Sequence, residues 1–423
     1  MVILKKEYRE RFISRRLAIF FISCLLFFLS QFYRVSVTVI SPDLISELNL
    51  DPHGLSLISA SFFYAFAIMQ IPIGLYLDRL GPRIVMTVLT LTGGMGALLF
   101  AIGNDLNILV AGRVLLGIGM AGNLMGTLKL ISLWFGPLRF ATLSALVFSI
   151  GTAGSIAATT PLVIMVNAIG WRTTFVVFAG INLVIAVLFF KVVRDRPEVS
   201  IGEPAVYKTS MPSEKIFTDV KALFADKDYW IISFGTFCRY GIFASVQTLW
   251  AGPYLMTVIG ISPISAGNLL LLMSIGLIIG SPFWGWLADT GIRARKPVIA
   301  IGMIGMIVTL TALAQVDTET GYSTLVILFF GFGVFSSAGQ VMYAHIKERV
   351  PIERAGMAMT GVNFFTMVGV AVFLQGLGFL MDYFYPNASL SPEAFRLSFY
   401  FCAGCLAVSA LLYTMTRETL KRK

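Results

Sequence analysis

Long apolar stretches, each closed by a short cluster of charged or turn-forming residues, recur along the chain. They cover 17–40, 55–77, 84–102, 108–135, 141–164 and 173–193, then 230–258, 266–288, 297–314, 323–346, 356–381 and 395–416. Such runs match the length an α-helix needs to cross a hydrocarbon layer about 30 Å thick. They fall into six and six. Between the sets lies one long polar stretch, 194–228, with Pro197, Pro204 and Pro212, which predicts a linker carrying one amphipathic helix near its end. The pattern predicts an all-α membrane protein with twelve transmembrane helices: an N-terminal bundle (1–193), a linker (194–228) and a C-terminal bundle (229–423). The first run is too long for the apolar core of a leader peptide, and no small-x-small cleavage site follows it.

Composition agrees. Apolar residues make up 57% of the chain and charged ones 13%, about half the charge a soluble surface carries, so a soluble protein is excluded. The 35 Phe argue against disorder, and 4 Cys in 423 residues neither staple such a chain nor form a metal-ligand pattern. A net charge of +10 would suit nucleic acid, but its placement points elsewhere. If the N-terminus is cytoplasmic, 26 of the 32 bases fall on the cytoplasmic side and only Arg172 and Arg396 on the other. This is the positive-inside pattern, with both termini cytoplasmic, and the excess charge faces anionic lipid head groups.

The halves repeat one another. Gly74-Leu-Tyr-Leu-Asp78-Arg79-Leu-Gly81-Pro82-Arg83 closes the second run, and Gly285-Trp-Leu-Ala-Asp289 closes the eighth, 211 residues later. Pro42 and Pro253 share that offset. Runs four and ten carry Gly117-Ile-Gly119 and Gly331-Phe-Gly333, followed at equal distance by Pro137 and Pro351. Duplicated six-helix halves suit a transporter whose substrate site lies at the midplane. A carboxylate such as Asp78 at the end of one helix can hold the positive N-terminal end of a neighbouring helix, in a contact that forms in one gate state and breaks in the other. A static loop-capping role is the alternative.

With these motifs, and with Arg113-Val-Leu-Leu-Gly117-Ile-Gly119 and Gly170-Trp171-Arg172-x-x-Phe175, the chain resembles the major facilitator superfamily over essentially its whole length. The resemblance implies alternating access, gating roles for Asp78, Arg79, Arg83 and Asp289, and a structural or proton-linked role for Arg113. Pro82 and Thr290 depart from the family's pattern.

Four bases lie inside apolar runs: Arg34, Arg113, Lys129 and Arg239. All 22 acids lie at helix ends or in loops. A mid-bilayer charge costs at least about 2.5 kcal/mol, so water or an anionic substrate is expected to compensate it. Arg34 has Gln31 one turn before it and Thr38 one turn after, a polar stripe on one helix face. The eight residues from Arg34 to Pro42 resemble the spacing in organophosphate/phosphate antiporters, whose first-helix Arg meets the substrate phosphate. Arg239-Tyr240-Gly241 resembles that group's second Arg, but stands fourteen residues from Pro253, nearly two turns displaced. Arg239, Phe243, Gln247 and Trp250 share a face of an ideal helix. An interhelical hydrogen-bonding role stands against the ligand role for both Arg34 and Arg239. Lys129 shares a face with Gly122 and Gly126 and either lines a cavity or snorkels to the inner interface. Tyr343, with Gln340 and His345, is a further pocket candidate, although a lone His near an interface is usually solvated. Asn123 and Asn363 are expected to bond between helices.

These residues predict a secondary active transporter of a small organic anion, carboxylate or organophosphate, in a bacterial inner membrane. It would be monomeric and need no cofactor and no metal. Its mode would be anion exchange, or proton symport using the substrate's own ionisation. The competing readings are a proton-coupled drug or metabolite exporter of the same superfamily and a membrane ligand sensor that does not transport. No catalytic constellation is present, so an enzyme is not expected.

Overall fold

The computed structural model describes residues 2–135, 137–195 and 221–419. Twelve helical segments follow one another, and among the described residues no strand occurs. They are α1 (Val2–Leu48), α2 (Pro52–Arg79), α3 (Pro82–Ile102), α4 (Leu106–Met120 and Asn123–Phe135), α5 (Pro137–Ala157 and Thr160–Ile169) and α6 (Trp171–Val192). The second set comprises α7 (Lys227–Val258), α8 (Pro263–Gly291), α9 (Arg295–Leu313), α10 (Tyr322–Arg349), α11 (Ile352–Phe384) and α12 (Pro392–Thr414). Ten of these are long and apolar enough to cross a membrane by themselves, and α5 is a broken span bent by 44°. The remaining segment, α7, carries Arg239 and Gln247 within its length. The protein is an all-α, multi-pass membrane protein of two pseudo-symmetric six-helix bundles.

Local chemistry explains the boundaries. Proline stands at the first turn of α2, α3, α8 and α12, where its missing N–H would have had no partner. Asp105, Ser262 and Ser391 cap α4, α8 and α12 through side-chain oxygens. Residues 196–220, most of the expected linker, lie outside the described residues.

The chain divides into two compact units, Met1–Ser36 with Ser61–Tyr207, and Val37–Ala60 with Lys208–Lys423. Inside the first, α4 packs on α2 with Gly117 at the contact, where a Cβ would collide with the Phe62 carbonyl. Inside the second, α10 packs on α8 with Gly333 at the contact, where a Cβ would collide with the Met273 carbonyl. The repeated glycines thus mark the same close approach in each bundle, although Gly117 corresponds to the second glycine of the later pair.

Besides α5, three expected unbroken helices are interrupted. In α4 the break falls at Ala121–Gly122, and the Met120 and Ala121 carbonyls accept from Ser30 Oγ (3.3 Å) and Gln70 Nε2 (3.1 Å). In α10 a 3₁₀ turn, Ala338–Gln340, interrupts the α-helix. In α7, π turns occupy Val246–Trp250 and Tyr254–Val258. Such turns open the regular backbone ladder, so carbonyls there take side-chain donors.

Candidate functional site

Each unit holds its own polar centre. In the first, Arg34 projects from α1, half-buried, with its guanidinium 4.3 Å from the centre of the Phe66 ring. A cation over an aromatic face gains an electrostatic attraction from the ring. Gln31, one turn away, is half-buried too. Arg113 is fully buried. Its Nη1 donates to the Tyr33 carbonyl at 2.9 Å, and its guanidinium lies 4.7 Å from the Phe62 ring centre. The Tyr33 hydroxyl accepts from Asn182 Nδ2 at 2.8 Å. Arg113 and Asn182 therefore hold the α1 residue that precedes Arg34, fixing the height from which Arg34 reaches.

Lys129 does something different. Its ammonium donates to the Leu77 carbonyl, in the last turn of α2, where carbonyls have no helical partner and the helix end carries partial negative charge. Gly122 and Gly126 on its face pack against Leu89 and Met86 of α3. At the junction that follows, Gly81 adopts φ +83° and a Cβ there would strike the Asp195 carboxylate. That carboxylate accepts the Arg83 backbone N–H at 2.7 Å, and Arg83 Nε donates to the Phe190 carbonyl at 2.9 Å. Arg79 is exposed, and the side chain of Asp78 lies outside the described residues.

In the second unit, Arg239 is buried and its Nη1 donates to the Ser336 carbonyl at 2.5 Å, beside the break in α10. Gly339, inside that break, lies against the guanidinium so closely that no Cβ fits. Tyr240 and Tyr343 flank it, with Tyr343 Oη 3.3 Å from Asn363 Oδ1 and 3.2 Å from Thr366 Oγ1. Tyr343 and Asn363 remain half-buried.

The expected α7 face does not continue as an ideal helix would carry it, because the π turn at Val246–Trp250 intervenes. Phe243 is buried against Phe332. Gln247 donates its side-chain amide to Ser274 Oγ at 3.0 Å. The Trp250 indole donates to the Leu374 carbonyl at 3.2 Å. Thr38 is buried and donates to the Gln247 carbonyl at 2.8 Å, so its hydroxyl belongs to the second unit while Arg34 belongs to the first. Asp289 pairs with Arg295 at 2.5 Å, and Glu348 holds the other side of the same guanidinium at 2.7 Å. His345 is fully buried rather than solvated. Its ring nitrogens lie 2.7 Å from the Tyr413 hydroxyl and 2.8 Å from the Arg417 carbonyl.

The two bases on the minority side of the charge pattern share one task. Arg172 Nη1 donates to the Ala101 and Gly103 carbonyls at the end of α3. Arg396 Nε donates to the Ala314 carbonyl at the end of α9. Sequence reasoning missed Gln70, Asp195, Asp382 and Glu418, all of which act on backbone groups of other helices. Among the described residues no group of three or more His, Cys, Asp or Glu is placed to hold a metal ion.

Comparison with known proteins agrees with this architecture. A probable sulfoacetate transporter, SauU of Cupriavidus necator, is 26% identical, covering 88% of this chain and 88% of its own. The hexuronate transporter of Bacillus subtilis is 28% identical over 90% of this chain and 89% of its own. Among solved structures, a bacterial homologue of the human lysosomal transporter Spinster, inward-facing and unoccupied, superposes with a TM-score of 0.76 at 16% identity, covering 94% of this chain and 96% of that one. The family model for the Major Facilitator Superfamily matches residues 20–250 and 232–423, and the chain belongs to that superfamily.

Proposed function

We propose that the protein is a secondary active transporter that moves a small organic anion, a carboxylate, sulfonate or organophosphate, by alternating access. The observation that carries this reading is Arg34: a half-buried guanidinium on an aromatic ring, in the membrane-spanning part of α1. Relatives named for sulfoacetate and hexuronate transport support an anionic cargo. Arg113 and Tyr33 position Arg34, and Gln31 offers an adjacent amide. Arg239 is a weaker ligand candidate than Arg34, because the Ser336 carbonyl and Gly339 already enclose it; Tyr343 and Asn363 present the more open polar edge. Coupling by anion exchange or by proton symport fits a chain whose acids lie at helix ends. The charge pattern supports cytoplasmic termini, bacterial relatives support an inner membrane, and the parts act as a bundle over 1–193, a linker over 194–228 and a bundle over 229–423. The working unit is a monomer, without enzymatic activity.

Thermal-shift screening of the purified protein against mono- and dicarboxylates, sulfonates and sugar phosphates, followed by counterflow in proteoliposomes, tests this. The expected outcome is stabilisation by one anion class. Arg34→Ala should weaken that binding about tenfold or more, as loss of a charge-assisted hydrogen bond does. Stabilisation by cationic compounds alone would favour a drug exporter, and binding without counterflow a sensor.

A further inference from the structure

We infer that Asp382 is a latch on the start of α2, and that the transport cycle requires it to open and close. The inference rests on the transporter reading. Residues Val37–Ala60, the end of α1 and the start of α2, belong to the same compact unit as the second bundle. Four contacts hold them there. Asp382 Oδ2 accepts the His53 backbone N–H at 2.9 Å, and Thr38 Oγ1 donates to the Gln247 carbonyl at 2.8 Å. Gly378 of α11 lies against the Pro52 carbonyl and Ser56, and Gly252 of α7 against the Thr38 carbonyl.

The placement of Asp382 is unfavourable for its own helix. It stands in the last turn of α11, where the helix end is partly negative and an acid is repelled. The first turn of α2 offsets that repulsion. Pro52 has no N–H, so His53 presents the first orphan donor of α2, and the Asp382 carboxylate takes it while Asp51 Oδ1 takes the N–H of Gly54 at 2.7 Å. A carboxylate seated on a helix end can leave without stranding a complementary side chain in the interior, because both ends lie next to solvent-facing loops. The glycines make the rest of the contact separable too, since on the α7 and α11 side a bare backbone meets carbonyls and the short side chains of Thr38, Ser41 and Ser56. Alternating access exposes one site to the two sides in turn, so the segment must part from α7 and α11 in the opposite state. Asp382 thus performs at one end of α2 the role that sequence assigns to Asp78 at its other end.

The test uses full-length protein with Cys24, Cys238, Cys402 and Cys405 replaced by serine and Ser56→Cys introduced beneath the latch. A membrane-impermeant maleimide is applied to whole cells and to inverted vesicles. Asp382→Ala should raise the labelling rate of position 56 about three- to tenfold from one side, the population shift one helix-end charge contact carries. Gly378→Val should act in the same direction by wedging the surfaces apart, and Asp382→Glu should label like the parent. With Ser56→Cys and Gly378→Cys together, oxidation should stop counterflow and reductant restore it. Unchanged labelling in both Asp382→Ala and Gly378→Val, or undiminished counterflow through the oxidised pair, would overturn the latch. A protein that exchanges none of the anions tested yet shows the labelling changes keeps the latch and loses the transporter reading.

Discussion

The two bundles solve one structural problem at corresponding ends with different side chains. In the first, Asp195 just beyond α6 accepts the Arg83 backbone N–H at the start of α3, and the Trp134 indole at the end of α4 donates to the Arg194 carbonyl at 2.9 Å. In the second, Glu418 just beyond α12 accepts the Arg295 and Lys296 backbone N–H groups at the start of α9, at 2.9 and 3.0 Å. There His345 at the end of α10 meets the Arg417 carbonyl at 2.8 Å. A carbonyl only accepts, so His345 carries its proton on Nε2, and Nδ1 accepts from the Tyr413 hydroxyl. The backbone requirement, donors at a helix start and a carbonyl in the strap beside it, persists through the duplication. The residues that meet it do not: Asp faces Glu, and Trp faces His. Among the described residues the second end also carries an ionic layer, Arg295 with Asp289 and Glu348, and Arg349 with Asp228 at 2.7 Å.

That layer predicts the largest difference between the ends. Arg295 is mostly buried and held by two carboxylates, so Arg295→Ala should cost about 2–3 kcal/mol, the part from exposed Asp289 being small. Arg83, whose side chain donates to the Phe190 carbonyl and lies over the Phe190 ring, should cost about 1 kcal/mol when replaced by alanine. Unfolding of the detergent-solubilised protein measures both; equal costs would mean that the ionic layer adds no stability. Next come the caps themselves. Glu418→Ala removes an acceptor from two N–H groups and should cost about 1–2 kcal/mol, whereas Asp195→Ala removes it from one and should cost about 1 kcal/mol. Because charge on a helix end is screened by salt, both costs should shrink at high ionic strength.

Why these ends escaped the sequence follows from what each residue bonds to. Spans are written in runs of apolar residues, so twelve helices, two bundles and the repeated glycines were legible, and a single resemblance in motif order sufficed to name the superfamily. Arg172 and Arg396 were legible as outliers of the charge pattern, though not as helix caps. Asp195 and Glu418 looked like ordinary acids in polar segments, because their partners are backbone N–H groups that carry no residue identity. Trp250 was placed on a face with Arg239 by assuming an ideal period of 3.6 residues; the π turns in α7, which no local composition announced, interrupt that period. The candidate site was therefore readable as a set of intramembrane bases, while the backbone carbonyls that Arg113, Lys129 and Arg239 bond, those of Tyr33, Leu77 and Ser336, carry no residue signature in the sequence.

The smallest expected effect concerns the aromatic donors, and it asks whether the correspondence between Trp134 and His345 is one of hydrogen bonding or of packing. Trp134→Phe preserves an aromatic body but withdraws the N–H from the Arg194 carbonyl, for an expected loss of about 1 kcal/mol. Trp134→His returns a donor in the form its counterpart uses and should recover part of that loss, even though the ring is smaller. In the second bundle His345→Phe withdraws the donor from the Arg417 carbonyl and the acceptor from the buried Tyr413 hydroxyl. It should cost more than Trp134→Phe, because two buried polar groups lose partners rather than one. If Trp134→His is no better than Trp134→Phe, the two positions share only a place in the fold, and the carbonyls beside Asp195 and Glu418 must be satisfied by water once the ring is changed.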